Sequence, residues 1–123
     1  MLCPYFFDMV YIKFIIMVKK KLSQKVKNEV LDFTRILQEA NIPIEKVYVF
    51  GSYAKGTQNK WSDVDVCVVS KKFTNSWQAT QMLWQKRQKD HGLTIEPVGF
   101  HPKDFLSLST LTAEILKTGI RVV

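Results

Sequence analysis

At 123 residues the chain has room for one compact domain, of a size that buries about two thirds of its unfolded surface. A composition of 46% hydrophobic and 24% charged residues excludes a disordered or membrane-dominated protein, and Cys3 and Cys67, without metal-ligand spacing, exclude a zinc module and a disulfide framework. The net charge of +7 suits anionic ligands such as nucleotides, nucleic acid or an acidic partner, although a solvated lysine-rich helix face accounts equally for the N-terminal cluster from Lys13 to Lys27.

The opening run, MLCPYFFDMVYIKFIIMVKKK, is strongly apolar, but Asp8 and Lys13 interrupt it. It is short of the roughly 20 residues that a spanning helix needs, and it lacks the basic start and cleavage site of a signal peptide. It reads as an added packed element, an interaction segment, or translated sequence ahead of a start at Met9 or Met17. The last is favoured. Residues 1–17 are therefore set apart as an uncertain extension and 18–123 taken as the domain, in a cytoplasmic protein with reduced thiols and no membrane association.

From Lys19 to Ala40, Leu22, Val26, Val30, Phe33 and Leu37 recur at helical spacing, and Asn41 and Pro43 end the helix. KVYVF at 46–50 is a strand, broken by Gly51. DVDVCVVS at 63–70 is a second strand, apolar on both faces apart from its acids. A helix is expected from about Asn75 to Asp90, with Trp77, Leu83 and Trp84 on its core face and His91-Gly92 as its stop. LTIEPVGF at 93–100 is a third strand, at an edge or ending near Pro97. A last helix uses Leu108, Leu111 and Ile115, stops at Gly119 and gives way to an extended tail. The pattern predicts the α/β (α+β) class: a small mixed sheet flanked by helices, with strand order open.

The chemistry gathers around FGSYAKGTQNKWSDVDVCVV at 50–69. Residues two apart on a strand share a face, so Asp63 and Asp65 project together, roughly 7 Å apart at the backbone. Such a pair either protonates or binds a cation, and hard oxygen ligands favour magnesium shared with substrate phosphates. Two ions about 3.5–4 Å apart would clamp a phosphoryl group during in-line attack. Gly51 lets backbone approach an anion, and Ser52 and a short helix starting near Tyr53 would offer donors. Ser62 is placed to cap or orient Asp63 or to touch phosphate. Lys55 and Lys60 are solvated, or neutralise further charge.

The combination G-S-Y-A-K-G followed by S-D-V-D-V resembles the DNA polymerase β-type nucleotidyltransferase superfamily, and looks most like its minimal, single-domain members (MNT-type). TIEP, the following Asp104-Phe105, and EILKTGI at 114–120 extend the resemblance over about Val18 to Val123. It implies a polymerase β-like core. It implies that Gly51 and Ser52 hold the β,γ-phosphates of a nucleoside triphosphate, with Ser62 a helper. Asp63 and Asp65 would bind a two-ion magnesium site. The third acid maps to Glu96, which would share the catalytic metal and take the proton of the attacking hydroxyl. Glu stands there where the family often has Asp, and Ala54 where it often has arginine, which shifts phosphate contacts toward Lys55.

The implied reaction is transfer of a nucleoside monophosphate, AMP from ATP, to a hydroxyl. Minimal relatives pair with a helical HEPN-type toxin and act as antitoxin by adding AMP to its tyrosine, and this is the leading expectation. A small hydroxyl compound such as an aminoglycoside, an RNA end, or neutralisation by contact alone are the alternatives, and a homo-oligomer remains open. Trp61 is expected to cover its loop or to stack on a base. His91 and His101 read as a helix end and a loop residue. Trp77 and Trp84, one heptad apart, read as core or partner-facing.

Overall fold

The computed structural model describes residues 22–87, 93–107 and 109–123. In chain order they form α1 (Gln24–Glu39), β1 (Lys46–Phe50), α2 (Ser52–Lys55), β2 (Val64–Val69), α3 (Ser76–Gln85), β3 (Ile95–Phe100), α4 (Pro102–Leu106), α5 (Thr110–Thr118) and β4 (Ile120–Arg121). The opening extension, the stop at His91-Gly92 and the core position of Leu108 lie outside the described residues.

Helix α1 starts at Ser23, whose hydroxyl accepts the Val26 N–H at 3.2 Å, an N-cap that satisfies one of the free donors of the first turn. Val26, Val30, Phe33 and Leu37 form its buried stripe, at the spacing expected from the sequence. The helix ends where Asn41 turns left-handed at φ 64°, a conformation that Asn tolerates better than most residues.

The four strands lie in the order β3-β2-β1-β4. β1 is antiparallel to both β2 and β4, whereas β2 and β3 run parallel, joined through α3. This is the mixed sheet with flanking helices that the hydrophobic pattern predicts. Strand alternation then builds two cores. Val47, Val49, Val64, Val66, Val68 and Ile95 meet α1, Phe73 and the Ala79 and Leu83 of α3 on one side. On the other, Phe50, Cys67 and Val69 pack with Phe105 of α4 and Ile115 of α5, and Tyr48 stacks on Phe105 at 5.5 Å between ring centroids. Burial pushes the Cys67 thiol up to about 12, so it is a packing residue without thiolate chemistry.

Helix α3 corrects one expectation. Its core face is Ala79 and Leu83, while Trp77 and Trp84 are 71% and 41% exposed. The reason is a close approach. A side chain at Gly99 would press on Ala79, Leu83 and Phe73, so the helix lies too near the strand for an indole to enter between them. Trp84 instead reaches over the sheet edge and donates its indole N–H to the Pro97 carbonyl at 3.0 Å. Arg87 stacks on that ring at 3.8 Å and donates to the Ile95 carbonyl, and the Thr80 hydroxyl accepts the Gly99 N–H at 3.1 Å. β2 takes the carbonyls of Thr94 and Phe100, so the odd-numbered residues of β3 present their polar groups outward. Side chains of α3 and Arg87 occupy them, and Pro97 has no donor to offer. The edge is thereby closed to a further strand.

Two elements were absent from the expected order. α4 follows His101, whose Nδ1 accepts the Lys103 N–H at 3.1 Å, with Pro102 at the first helical position. The expected tail joins the sheet as β4, pairing Ile120 with Val49 and Arg121 with Tyr48. Among the described residues no helix is long and apolar enough to cross a membrane.

Candidate active site

The site is built where three strands meet the Gly51 turn. In the register, Phe50 of β1 lies opposite Asp65 of β2, and Asp65 lies beside Glu96 of β3. The next layer along the same face is Tyr48, Cys67 and Val98, packed against α4 and α5 with Cys67 fully buried and the other two partly so. The two acids therefore stand at the rim of an apolar face, on rigid strand backbone. Asp63 precedes β2 by one residue and is half-buried like the other two.

Gly51 closes the approach from β1. It has φ 70° and ψ −146°, and a Cβ placed there would overlap a carboxylate oxygen of Asp65. Glycine is required twice, for the left-handed φ and for the contact. The chain then winds through the single turn of α2, with the Lys55 N–H bonded to the Gly51 carbonyl at 3.0 Å and the Thr57 N–H to the Ser52 carbonyl at 2.9 Å. Gly56, left-handed at φ 76°, ends the turn. Ser52 is half-buried at its start.

The carboxyls feel one another. Burial pushes Glu96 above its ordinary value, and hydrogen-bond contact with Asp63, then the charges of Asp63 and Asp65, add to the rise. Asp65 is also raised, chiefly by burial. Its contact with Glu96 opposes the rise, while the charges of Asp63 and Glu114 reinforce it. The acids meet pairwise: among the described residues no three His, Cys, Asp or Glu side chains are grouped tightly enough to hold a metal ion as they stand. Their chemistry nonetheless fits a hard cation. Three half-buried carboxyls, Asp63, Asp65 and Glu96, gather oxygen donors and negative charge on one side of the turn, the donor set that a divalent ion takes.

Ser62 lies next to the acids, but its hydroxyl accepts the Asn59 N–H at 3.0 Å while its own N–H goes to the Asn59 carbonyl at 3.1 Å. Its visible work is to close the loop before Asp63. Trp61 in that loop is 80% exposed, with the Lys60 ammonium 4.9 Å from its ring centroid, and so does not cover the loop. His101 serves as the α4 cap. A cleft of about 330 Å³ between α1 and β3, with Phe33, Arg87 and Ile95 in its wall, opens on the opposite face of the sheet.

One participant escaped sequence reasoning. Glu114 of α5 holds the Lys55 ammonium at 2.7 Å and also bears on Asp65. The two partners stand 59 residues apart, so no local spacing links them. The only signal was that EILKTGI at 114–120 looked family-like.

Comparison with known proteins agrees with this geometry. Residues 15–121 match the nucleotidyltransferase domain family. The chain is 27% identical over 114 residues, 83% of its own length and 74% of the relative's, to the "Putative protein adenylyltransferase MJ1305" of Methanocaldococcus jannaschii. Among solved structures it is similar to a mutant of the toxin–antitoxin MntA–HepT, at 25% identity and a TM-score of 0.55, over 79% of this chain and 72% of that one. A Sulfolobus solfataricus structure shares the fold at 19% identity and a TM-score of 0.51, over 82% of this chain and 87% of that one. The parallel β2–β3 pair with acids in register, the glycine turn against them and the match over most of the length converge on one statement: the chain belongs to the nucleotidyltransferase domain family and is a nucleotidyltransferase.

Proposed function

We propose that this nucleotidyltransferase transfers AMP from ATP to a hydroxyl on a partner protein, a tyrosine of a helical HEPN-type toxin, and so acts as its antitoxin. The observation that carries the reading is the row Phe50–Asp65–Glu96 with Gly51 pressed on the Asp65 carboxylate, which sets an anion-accepting turn against an acid cluster. The curated relative is named for transfer of adenylyl groups to proteins. The similar MntA–HepT structure is of a mutant with Glu for Asp at two positions two apart, the spacing of Asp63 and Asp65.

In this mechanism Gly51 and Ser52 receive the β- and γ-phosphates, with Lys55 at the end of the same turn. Asp63, Asp65 and Glu96 would hold magnesium, which when bound supplies positive charge to the developing pyrophosphate and to the attacked phosphate. Glu96, beside Asp65 on the neighbouring strand, takes the proton of the acceptor hydroxyl. The freed oxygen bonds to the α-phosphorus as the bond to the bridging oxygen breaks, and pyrophosphate leaves. The fixed strand spacing of Asp65 and Glu96 holds acceptor and donor together, which is where positioning lowers the barrier.

The test is incubation with α-labelled ATP, magnesium and a purified helical HEPN-type partner. Label is expected on a partner tyrosine, and none with Asp63→Asn/Asp65→Asn. An unlabelled partner, in a preparation that a competent adenylyltransferase does label, would remove the toxin acceptor. Label on an RNA end or an aminoglycoside would assign the acceptor to that class instead.

A further inference from the structure

The turn that carries Gly51 at its start carries Lys55 at its end, and the two are joined by a backbone hydrogen bond of 3.0 Å. Gly51 is fixed against Asp65, so the root of Lys55 is fixed too, and only its side chain is free to swing. That side chain is tied across to α5, with Lys55 Nζ 2.7 Å from Glu114 Oε1. α5 is held in place by its Ser109 cap and by Ile115, which is fully buried next to Glu114. Two rigid anchors thus present a lysine and a glutamate to each other beside the acid cluster.

We propose that Glu114 is a counter-ion that competes with the donor nucleotide for Lys55: it holds the ammonium in the empty site and gives it up to the terminal phosphates when a nucleoside triphosphate enters. This rests on the nucleotidyl-transfer reading above. Two features support it. The pair is half-exposed, with side-chain exposures of 45% and 39%, so water already competes for both partners and the link opens easily. A triphosphate offers the ammonium several charged oxygens in place of one carboxylate, each able to take a charge-assisted bond. The Glu114 charge also reaches Asp65, which puts that carboxylate within electrostatic range of the acids. Lys55 pairs with a carboxylate whose charge already bears on the acids. The link therefore serves the empty site and must yield in the filled one.

The experiment is calorimetric binding of magnesium with α,β-methylene-ATP, a donor that cannot transfer, and of AMP in parallel. It compares the wild type, Lys55→Gln, Glu114→Gln and the double variant. Lys55→Gln is expected to weaken the triphosphate about fivefold or more while changing AMP less than about twofold. Glu114→Gln is expected to tighten the triphosphate about two- to fivefold, and to lose most of that gain once Lys55 is gone, since coupled residues are non-additive. A merely structural Glu114 would weaken both ligands in both backgrounds, and that result overturns the proposal. So does an equal gain with and without Lys55. A wild type that binds no magnesium triphosphate overturns the underlying reading as well, which separates the two failures.

Discussion

β2 and β3 present two different surfaces on one face of the sheet. At the start of the strands Asp65 and Glu96 stand side by side, half-buried, each raised by burial and by its neighbours' charge. Two residues further on, Cys67 is sealed beneath Phe105 and Ile115 with Val98 partly buried at its side, and Val69 and Phe100 follow. Backbone geometry and register are the same in both halves. What differs is cover: Phe105 of α4 and Ile115 of α5 pack against Cys67 and Val69, whereas α5 bears on Asp65 through the charge of Glu114. The closed half anchors the strands, and the open half spends that rigidity on holding like charges at a fixed separation, an arrangement that costs stability and that chemistry requires.

The largest effect should come from the open half. Asp63→Asn/Asp65→Asn is expected to lower transfer by about a thousandfold or more, the scale on which electrostatic contributions to a transition state are lost. Single-turnover labelling measures it, and far-ultraviolet circular dichroism should stay unchanged. Retained labelling would break the assignment of chemistry to this half. In the closed half, Phe105→Ala should cost about 3–5 kcal/mol by urea unfolding, because a buried ring is lost from between Tyr48 and Phe100. An unaltered urea midpoint would mean that α4 is not a structural cover.

A smaller effect separates the halves by pH. Unfolded carboxyls titrate near roughly 4, and those of Asp65 and Glu96 are higher in the folded chain. A group raised in this way contributes its stability fully below the unfolded value and loses it as pH rises through the folded one. The acids thus destabilise the metal-free chain at neutral pH, and magnesium should reverse this. A rise in melting temperature of about a few degrees is expected at pH 7.5 and none near pH 4.5, because a bound ligand stabilises only the state that can hold it. Glu96→Gln should raise the metal-free melting temperature at pH 7.5 and shrink the magnesium response. An equal magnesium response at both pH values would disconnect it from these acids.

The open half was legible in the sequence only in part. Asp63 and Asp65 announce themselves because acids two apart in a run of valines must share a face. Glu96 came from family resemblance alone, since its place beside Asp65 depends on parallel pairing of strands separated by a helix, which no local pattern encodes. The same limit hid strand order and the Lys55–Glu114 link. The closed half was clearer where periodicity is long, as along α1, and misleading where it is short. Trp77 and Trp84 look like core residues in a ten-residue helix. Only the tight contact at Gly99 shows why they are excluded and why Trp84 serves the sheet edge. α4 had a readable start in His101-Pro102, but its single turn is too short to display a buried stripe.

The boundary between the halves is the place where the comparison can be sharpened with the least perturbation. Cys67 follows Asp65 by two residues on the same face, yet its thiol is fully buried and pushed up to about 12 by lost solvation. A thiolate-specific reagent at pH 8 needs both an ionised sulfur and a path to it, and the folded chain denies both. In a Cys3→Ser background, the native protein should show essentially no reaction, and one equivalent should react once urea unfolds it. Slow native labelling would then report opening of the cover formed by α4 and α5, since the sheet beneath remains paired on both sides of β2. Phe105→Ala should speed that labelling while a substitution at Asp65 leaves it unchanged. Fast reaction in the wild type would move the edge of the open surface past Cys67, and the division of the face into a charged rim and a sealed floor would have to be redrawn.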